Sequence, residues 1–274
     1  MNITGKTLLV GIFGHPIEHT FSPAMHNAAF DRLGLDWCYL PFHVLPERLG
    51  GAVEAVRALG LRGVNVTVPH KEAVIRYLDR VDEEAARIGA VNTVVNEDGV
   101  LTGYNTDGKG FVMSLKEAGM AVCKKKVIVL GAGGAARAVC FSLLSAGVSD
   151  ILVVNRTVER AGQLAGDINS VRKAASAAGS ISSTAGYDML VNTTSLGLHD
   201  EDPMPVEESL LISELFVCDL IYNPARTRLM AVAEKRGCNT INGLGMLLWQ
   251  GVLAFELWTG MMPPVSVMRD VLGT

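Results

Sequence analysis

The sequence predicts an α/β fold in two domains, each built on a mostly parallel sheet. Three observations carry this. Short apolar runs rich in β-branched residues alternate with helix-length patterns from end to end, which is the signature of a parallel sheet with crossover helices. A second strand–helix–strand series opens afresh at Lys125. The length, 274 residues, is long for one core and comfortable for two.

In order, TLLVGIFG (7–14), WCYLPFH (37–43) and LRGVNVTVP (61–69) read as strands, separated by helical patterns over 22–33 and 46–59. AVNTVVNEDGVLTGYN breaks the rhythm, and its Asp98-Gly99 pair between two alternating runs predicts a hairpin. KKVIVLGAGG, AARAVCFSLLSAG and DILVVNR then give strand, helix and strand in about thirty residues. Further strands follow at 189–194, 216–222 and 239–242. The alanine- and serine-rich piece 171–186 reads as a solvated connection without chemistry. The helices from Gly243 onward have no strands of their own to cover. They are expected to return to the first domain, making the second an insertion that ends near Asn242.

Composition narrows the function. The chain is 49% hydrophobic and 19% charged, with a net charge of −4. With that charge no nucleic-acid surface is expected, and an anionic ligand would need donors placed locally. The start MNITGKTLLVGIFG reads as a first strand rather than a signal peptide. The run 245–260 contains Gln250 and Glu256 and is too short to span a bilayer, so no membrane partner is expected. Five scattered cysteines without a CxxC clip point to reduced thiols and a cytoplasmic setting. His15 and His19 stand at i, i+4, but Pro16 between them opposes the helix that a shared metal would need. No metal is expected.

GAGGAARAV (131–139) sits between an apolar strand and a helix. Gly131, Gly133, Gly134 and Ala135 would allow a tight turn and close approach of backbone to a pyrophosphate, which the helix N-terminus favours. This is a Rossmann-type dinucleotide site by its context, strand before and helix after. The tip of the next strand selects the dinucleotide. An acid there would hold a ribose 2′-hydroxyl, but the tip reads NRTVER, with Asn155, Arg156, Thr157 and Arg160. Asp150 has the right sequence distance yet stands at the far end of the strand. Arginines and a hydroxyl suit a 2′-phosphate, so NADP is the expected cofactor.

VNVTVPHK (64–71) ends an alternating run with Pro69 and puts Lys71 just beyond it, either as a surface charge or as a group held at a strand tip. GYNTDGKG (103–110) nearly spells a P-loop. Gly110 replaces the hydroxyl residue that would ligate magnesium, and Asp107 would put a negative charge inside a phosphate cradle. Asp107 is also a natural N-cap for the next helix.

Taken in order, GHPIEHTFSPAMHN, GVNVTVPHK, GAVNT, GYNTDG, GAGGAARA, NRT, NTTSLG, DLIYNP and NGLGMLLWQG resemble the motifs of the shikimate dehydrogenase family, over nearly the whole chain. The resemblance implies reversible, NADP-dependent reduction of 3-dehydroshikimate to shikimate, a small-molecule substrate, and two domains flanking a cleft. Residues 1–106 with the helices 243–274 would form the substrate domain, and 107–242 the NADP domain. It implies Lys71 and Asp107 as the catalytic pair. That fits the chemistry, because hydride delivery to a ketone creates an alkoxide that needs a proton or positive donor. It implies that Thr20, Ser22 and Tyr222 hold the substrate carboxylate and that Asn65, Thr67, Asn92 and Gln250 hold ring hydroxyls. Thr193 and Ser195 in the NTTSLG loop, with Gly243 and Met246, would lie by the nicotinamide and its ribose. The family's usual HSxSP is HTFSP here, so Thr20 adds a methyl against the substrate. The same residues leave open a quinate or mixed quinate/shikimate dehydrogenase, or an NADP-responsive regulatory module without catalysis. The oligomeric state is expected to be monomer or homodimer.

Overall fold

In this computed structural model the described residues are 3–273. The chain forms two compact units, Met1–Gly110 with Leu247–Thr274, and Phe111–Met246.

The first unit runs β1 (Leu8–Gly14), α1 (Ser22–Arg32), β2 (Trp37–His43), α2 (Leu49–Ala58), β3 (Gly63–Val66), β4 (Arg80–Val81), α3 (Glu83–Ile88), β5 (Thr93–Glu97) and β6 (Val100–Tyr104). Its sheet has the order β2-β1-β3-β5-β6-β4. β1, β2 and β3 are parallel, as are β4 and β6, whereas β5 is antiparallel to both its neighbours. The antiparallel step comes from the β5–β6 hairpin. Its turn residues Asp98 and Gly99 have φ of 52° and 90°, as the tight two-residue turn requires.

Valines and leucines on one sheet face (Val64, Val66, Val94, Leu101) pack with Leu49, Val53 and Val56 of α2. An aromatic group including Phe30, Tyr39, Phe255 and Trp258 packs around His26. The indole of Trp258 donates to the Val94 carbonyl at 3.0 Å, so the long apolar helix that carries it belongs to this core.

α4 (Asp107–Glu117) leads into the second unit: β7 (Lys126–Leu130), α5 (Gly134–Ser145), β8 (Asp150–Val154), α6 (Val158–Val171), β9 (Ala175–Ala178), β10 (Met189–Asn192), β11 (Phe216–Asp219), α7 (Arg228–Lys235) and β12 (Asn239–Ile241). α8 (Leu244–Thr259) and α9 (Val265–Leu272) close the chain, and α9 packs on α1. All five pairings in the second sheet are parallel, in the order β12-β11-β10-β7-β8-β9. The order reverses between β7 and β10, and crevices of this kind, beyond the carboxyl ends of the strands, are where doubly wound sheets bind nucleotides.

Three expectations need correction. The expected solvated connection 171–186 contains the edge strand β9, which pairs with β8. Its small residues add little to a core but leave the ladder intact. The strand expected over 61–69 is regular only over Gly63–Val66, although single bonds from Thr67 N to Phe13 O and His15 N to Val68 O (2.9 and 3.0 Å) continue the pairing. The helix expected over 46–59 begins as a 3₁₀ turn, Pro46–Arg48, before α2.

Candidate active site

Two sets of residues, one in each unit, carry the predicted chemistry. In the first unit the register places the carboxyl ends of β1, β3 and β6 and the amino end of β5 along one sheet edge: Asn65 faces Thr93, and Thr93 faces Tyr104. The segments that leave this edge hold Thr20, Ser22, Thr67, Lys71, Asn92 and Asp107.

Lys71 is not a free surface charge. Its Nζ donates to Asp107 Oδ2 at 2.6 Å, with the two side chains 15% and 6% exposed. A carboxylate this buried needs both a counter-ion and hydrogen bonds. Asp107 has both, because its Oδ1 accepts from Asn92 Nδ2 at 2.8 Å. Asn92 is fixed in turn. Its Oδ1 accepts from the Thr106 amide (2.7 Å), from Thr106 Oγ1 (3.2 Å) and from Thr93 Oγ1 (3.1 Å), so its NH₂ has to face Asp107.

The helix-cap reading of Asp107 is thereby corrected. Asp107 lies in the first turn of α4, and Asn105 Oδ1 accepts its amide at 3.1 Å. The carboxylate is left to the lysine because a neighbouring residue satisfies the helix start.

Gln250 joins the same group: its Oε1 lies 3.4 Å from Asn92 Nδ2, and its Nε2 donates to Leu247 O at 2.8 Å. The glycine that spoils the P-loop reading has a packing reason. A Cβ on Gly110 would come within 2.6 Å of the Gln250 amide nitrogen.

Asn65 is buried. Its Nδ2 donates to Asn92 O (3.1 Å) and Thr93 Oγ1 (3.0 Å), and its Oδ1 accepts from the Tyr39 hydroxyl (2.8 Å). Thr67 is half-buried where β3 ends. Thr20 Oγ1 accepts from the Ser22 amide at 3.3 Å, and Ser22 opens α1. Asn105, Thr106 and Thr93 were not singled out from the sequence. Their signal was there, since two belong to the GYNTDG motif and one to GAVNT. Tyr39 has no such signal and reads as core.

In the second unit the glycine loop links β7 to α5. Gly131 has φ of 112°, and a Cβ there would meet Thr193 Oγ1 at 2.5 Å, whereas Gly133 has open space. Thr193 is held by its amide and its hydroxyl on Leu130 O (2.9 and 2.6 Å). Gly133 stands at the N-cap of α5 and Gly134 begins it, followed by half-buried Ala135. The backbone amides of this first turn are the donors an anion would meet.

At the tip of β8, Asn155 Nδ2 donates to Thr157 O at 2.9 Å, and Arg156, Thr157 and Arg160 are exposed. Asp150 pairs with Lys126 at the opposite end of the ladder. Ser195 is exposed in the loop after β10, Tyr222 is half-buried after β11, and Met246 is buried in α8. Gly243 donates to Ile221 O at 3.1 Å.

Family models match along the chain: the shikimate dehydrogenase substrate binding domain over residues 12–94, shikimate/quinate 5-dehydrogenase over 114–198, and the shikimate 5′-dehydrogenase C-terminal domain over 243–272. The sequence is 50% identical to the shikimate dehydrogenase (NADP(+)) of Carboxydothermus hydrogenoformans over 100% of this chain and 99% of that one. The chain belongs to the shikimate dehydrogenase family.

It is also 50% identical to the family member of Moorella thermoacetica, over 99% of this chain and 95% of that one. The crystal structure of the Thermus thermophilus enzyme in complex with NADP(H) and shikimate is similar, with a TM-score of 0.88 at 42% identity, covering 97% of this chain and 98% of that one. The family assignment agrees with the order of the second sheet, which is that of dinucleotide-binding folds.

Among the described residues, no group of three or more histidine, cysteine, aspartate or glutamate side chains is placed to hold a metal ion. No helix among them is long and apolar enough to cross a membrane. All five cysteines are free. Burial pushes the Cys140 thiol up to about 12, and Cys123 is the exposed one.

Proposed function

We propose that this chain catalyses the reversible NADP-dependent reduction of 3-dehydroshikimate to shikimate, on the chorismate route to aromatic amino acids. The observation that carries this reading is the Lys71–Asp107–Asn92 group: a buried carboxylate holds an ammonium at a sheet edge among neutral polar side chains. A family member with this group has what ketone reduction needs.

The second unit fits NADP. The positive φ of Gly131 and the open space at Gly133 leave the glycine loop free of side chains where a pyrophosphate would approach α5. Arg156 and Arg160 stand exposed at the β8 tip, with no acid at 155–157. The reduced cofactor, NADPH, would supply the hydride to the ketone, and NADP+ would accept it in the reverse direction. Gly131, Gly133, Gly134 and Ala135 would hold its phosphates. Asn155, Arg156, Thr157 and Arg160 would hold the adenosine 2′-phosphate, and Thr193, Ser195, Gly243 and Met246 the nicotinamide half.

In the first unit, one hydrogen of the Lys71 ammonium is committed to Asp107, which leaves two for the substrate. The ammonium donates to the carbonyl oxygen as negative charge develops there, and Asp107 keeps it oriented. Asn92, Asn65, Thr67 and Gln250 read the ring hydroxyls, and Thr20 and Ser22, with Tyr222, take the carboxylate. We assign the first unit to the substrate and the second to the cofactor; the boundaries fall at Gly110 and Leu247, a few residues beyond the expected 106 and 243. We read the chain as a cytoplasmic monomer or homodimer. The test is an absorbance assay at 340 nm with shikimate and quinate, each with NADP and NAD. Shikimate with NADP should give the highest kcat/KM, and no reduction of NADP by shikimate would refute the proposal.

A further inference from the structure

The DLIYNP stretch contains a buried acid that the chemistry above leaves unused. β11 ends on Asp219, which is 1% exposed, and its carboxylate is met by three neutral donors. Asn192 Nδ2 and the Ile221 amide donate to Oδ1 at 3.0 and 3.2 Å, and Thr227 Oγ1 donates to Oδ2 at 2.7 Å. Burial drives its carboxyl pKa upward, against the hydrogen bonds from Thr227, Ile221 and Asn192. An acid is costly in such a place, so its geometry needs a reason.

The donors belong to two loops. Asn192 organises the NTTSLG loop: its second amide hydrogen goes to Leu196 O at 3.1 Å, and its Oδ1 accepts from the Thr194 amide and hydroxyl at 3.1 and 2.7 Å. Ile221 and Thr227 bracket the loop that bears Tyr222, and Thr227 Oγ1 also caps α7 by accepting from Met230 N at 3.3 Å. Only a group that accepts on both sides satisfies all three donors at once.

We infer that Asp219 is a positioning residue that fixes both loops: the one carrying Thr193 and Ser195 for the nicotinamide half of NADP, and the one carrying Tyr222 for the substrate carboxylate. The inference rests on the reading given under Proposed function. It predicts an asymmetry between two substitutions. Asp219→Ala releases both loops. Asp219→Asn can keep an oxygen toward Asn192 and Ile221, but then turns an NH₂ toward Thr227, whose own hydroxyl hydrogen loses its acceptor.

The experiment measures NADP Kd by fluorescence titration, shikimate KM and melting temperature in the full-length wild type and both variants. For Asp219→Ala, NADP Kd and shikimate KM should each rise about tenfold, the scale of one lost buried hydrogen bond. For Asp219→Asn, NADP Kd should return to within about threefold of wild type, while shikimate KM stays between the other two proteins. The inference is overturned if folded Asp219→Ala binds both ligands like wild type and only melts earlier. It is equally overturned if Asp219→Asn binds NADP no better than Asp219→Ala. A wild type that fails to reduce NADP with shikimate would instead remove the reading on which the inference rests.

Discussion

Replacing Asp107 by asparagine changes no shape, yet it should disable the enzyme, and the hydrogen bonds say why. Lys71 donates to Oδ2 at 2.6 Å and Asn92 donates to Oδ1 at 2.8 Å. A carboxamide has one acceptor oxygen, and the positive lysine has the stronger claim on it. The new NH₂ then faces the NH₂ of Asn92. Asn92 cannot flip to offer its oxygen, because that oxygen holds the Thr106 amide at 2.7 Å. One buried hydrogen bond to a charged group is lost, worth about 1.5–3 kcal/mol, and Lys71 loses its counter-charge. We expect Asp107→Asn to melt several degrees lower, at about 2–4 °C per kcal/mol for a chain near this size. The kcat should fall by about 10²–10⁴, the range for a misplaced acid–base group. The assays are steady-state kinetics with shikimate, NADP titration and thermal unfolding. NADP Kd should hold within about twofold, since the cofactor residues named above lie elsewhere in the chain. A kcat within about threefold of wild type would refute the argument that this carboxylate holds the lysine for chemistry.

Arg156→Ala should weaken NADP binding about tenfold to a hundredfold by losing charge-assisted bonds to a 2′-phosphate, and leave the poorer NAD activity nearly unchanged. Equal damage to both cofactors in parallel titrations would mean that Arg156 does not read the phosphate. Thr20→Ser should keep the hydroxyl and relax the shikimate-over-quinate ratio of kcat/KM by about tenfold, as one methyl-sized change does. An unchanged ratio would place selectivity elsewhere. His26 is fully buried with no hydrogen-bond partner on either ring nitrogen, and burial lowers its pKa to about 3. The unfolded chain therefore takes up a proton near pH 6.5 that the folded state refuses, so stability falls as pH drops from about 6.5 towards 3. His26→Phe keeps the stack on Tyr39 and should shrink the loss between pH 7 and pH 5 by about 2 kcal/mol. Urea unfolding at both pH values would expose the error if the two losses were equal.

Much of this was legible because local patterns and tertiary structure agree. The Asp98-Gly99 turn, the strand before Gly131 and the arginines after β8 are each short-range signals that the fold keeps. Two of the expectations that failed concern long-range pairing. Whether Thr67 and Val68 continue a regular ladder depends on β1, and whether 175–178 forms a strand depends on the free edge of β8. Neither dependence shows in local composition. Lys71 and Asp107 lie 36 positions apart in sequence, and family motifs rather than spacing joined them. The Tyr39 hydroxyl that holds Asn65 comes from a strand 26 positions away, a contact that no local pattern signals. Asp219 stands in the DLIYNP motif with no local signal of a role, since three neutral donors converging on one acid become visible only when two loops are in place.

We propose that Lys71, held by Asp107, supplies the positive donor at the reacting oxygen. Its most direct test is the initial rate of NADPH formation from shikimate by Lys71→Ala, measured beside its NADP Kd. We expect a kcat lower by about 10²–10⁴ with NADP Kd within about twofold of wild type. Turnover near the wild-type rate in a variant that binds NADP normally would contradict it.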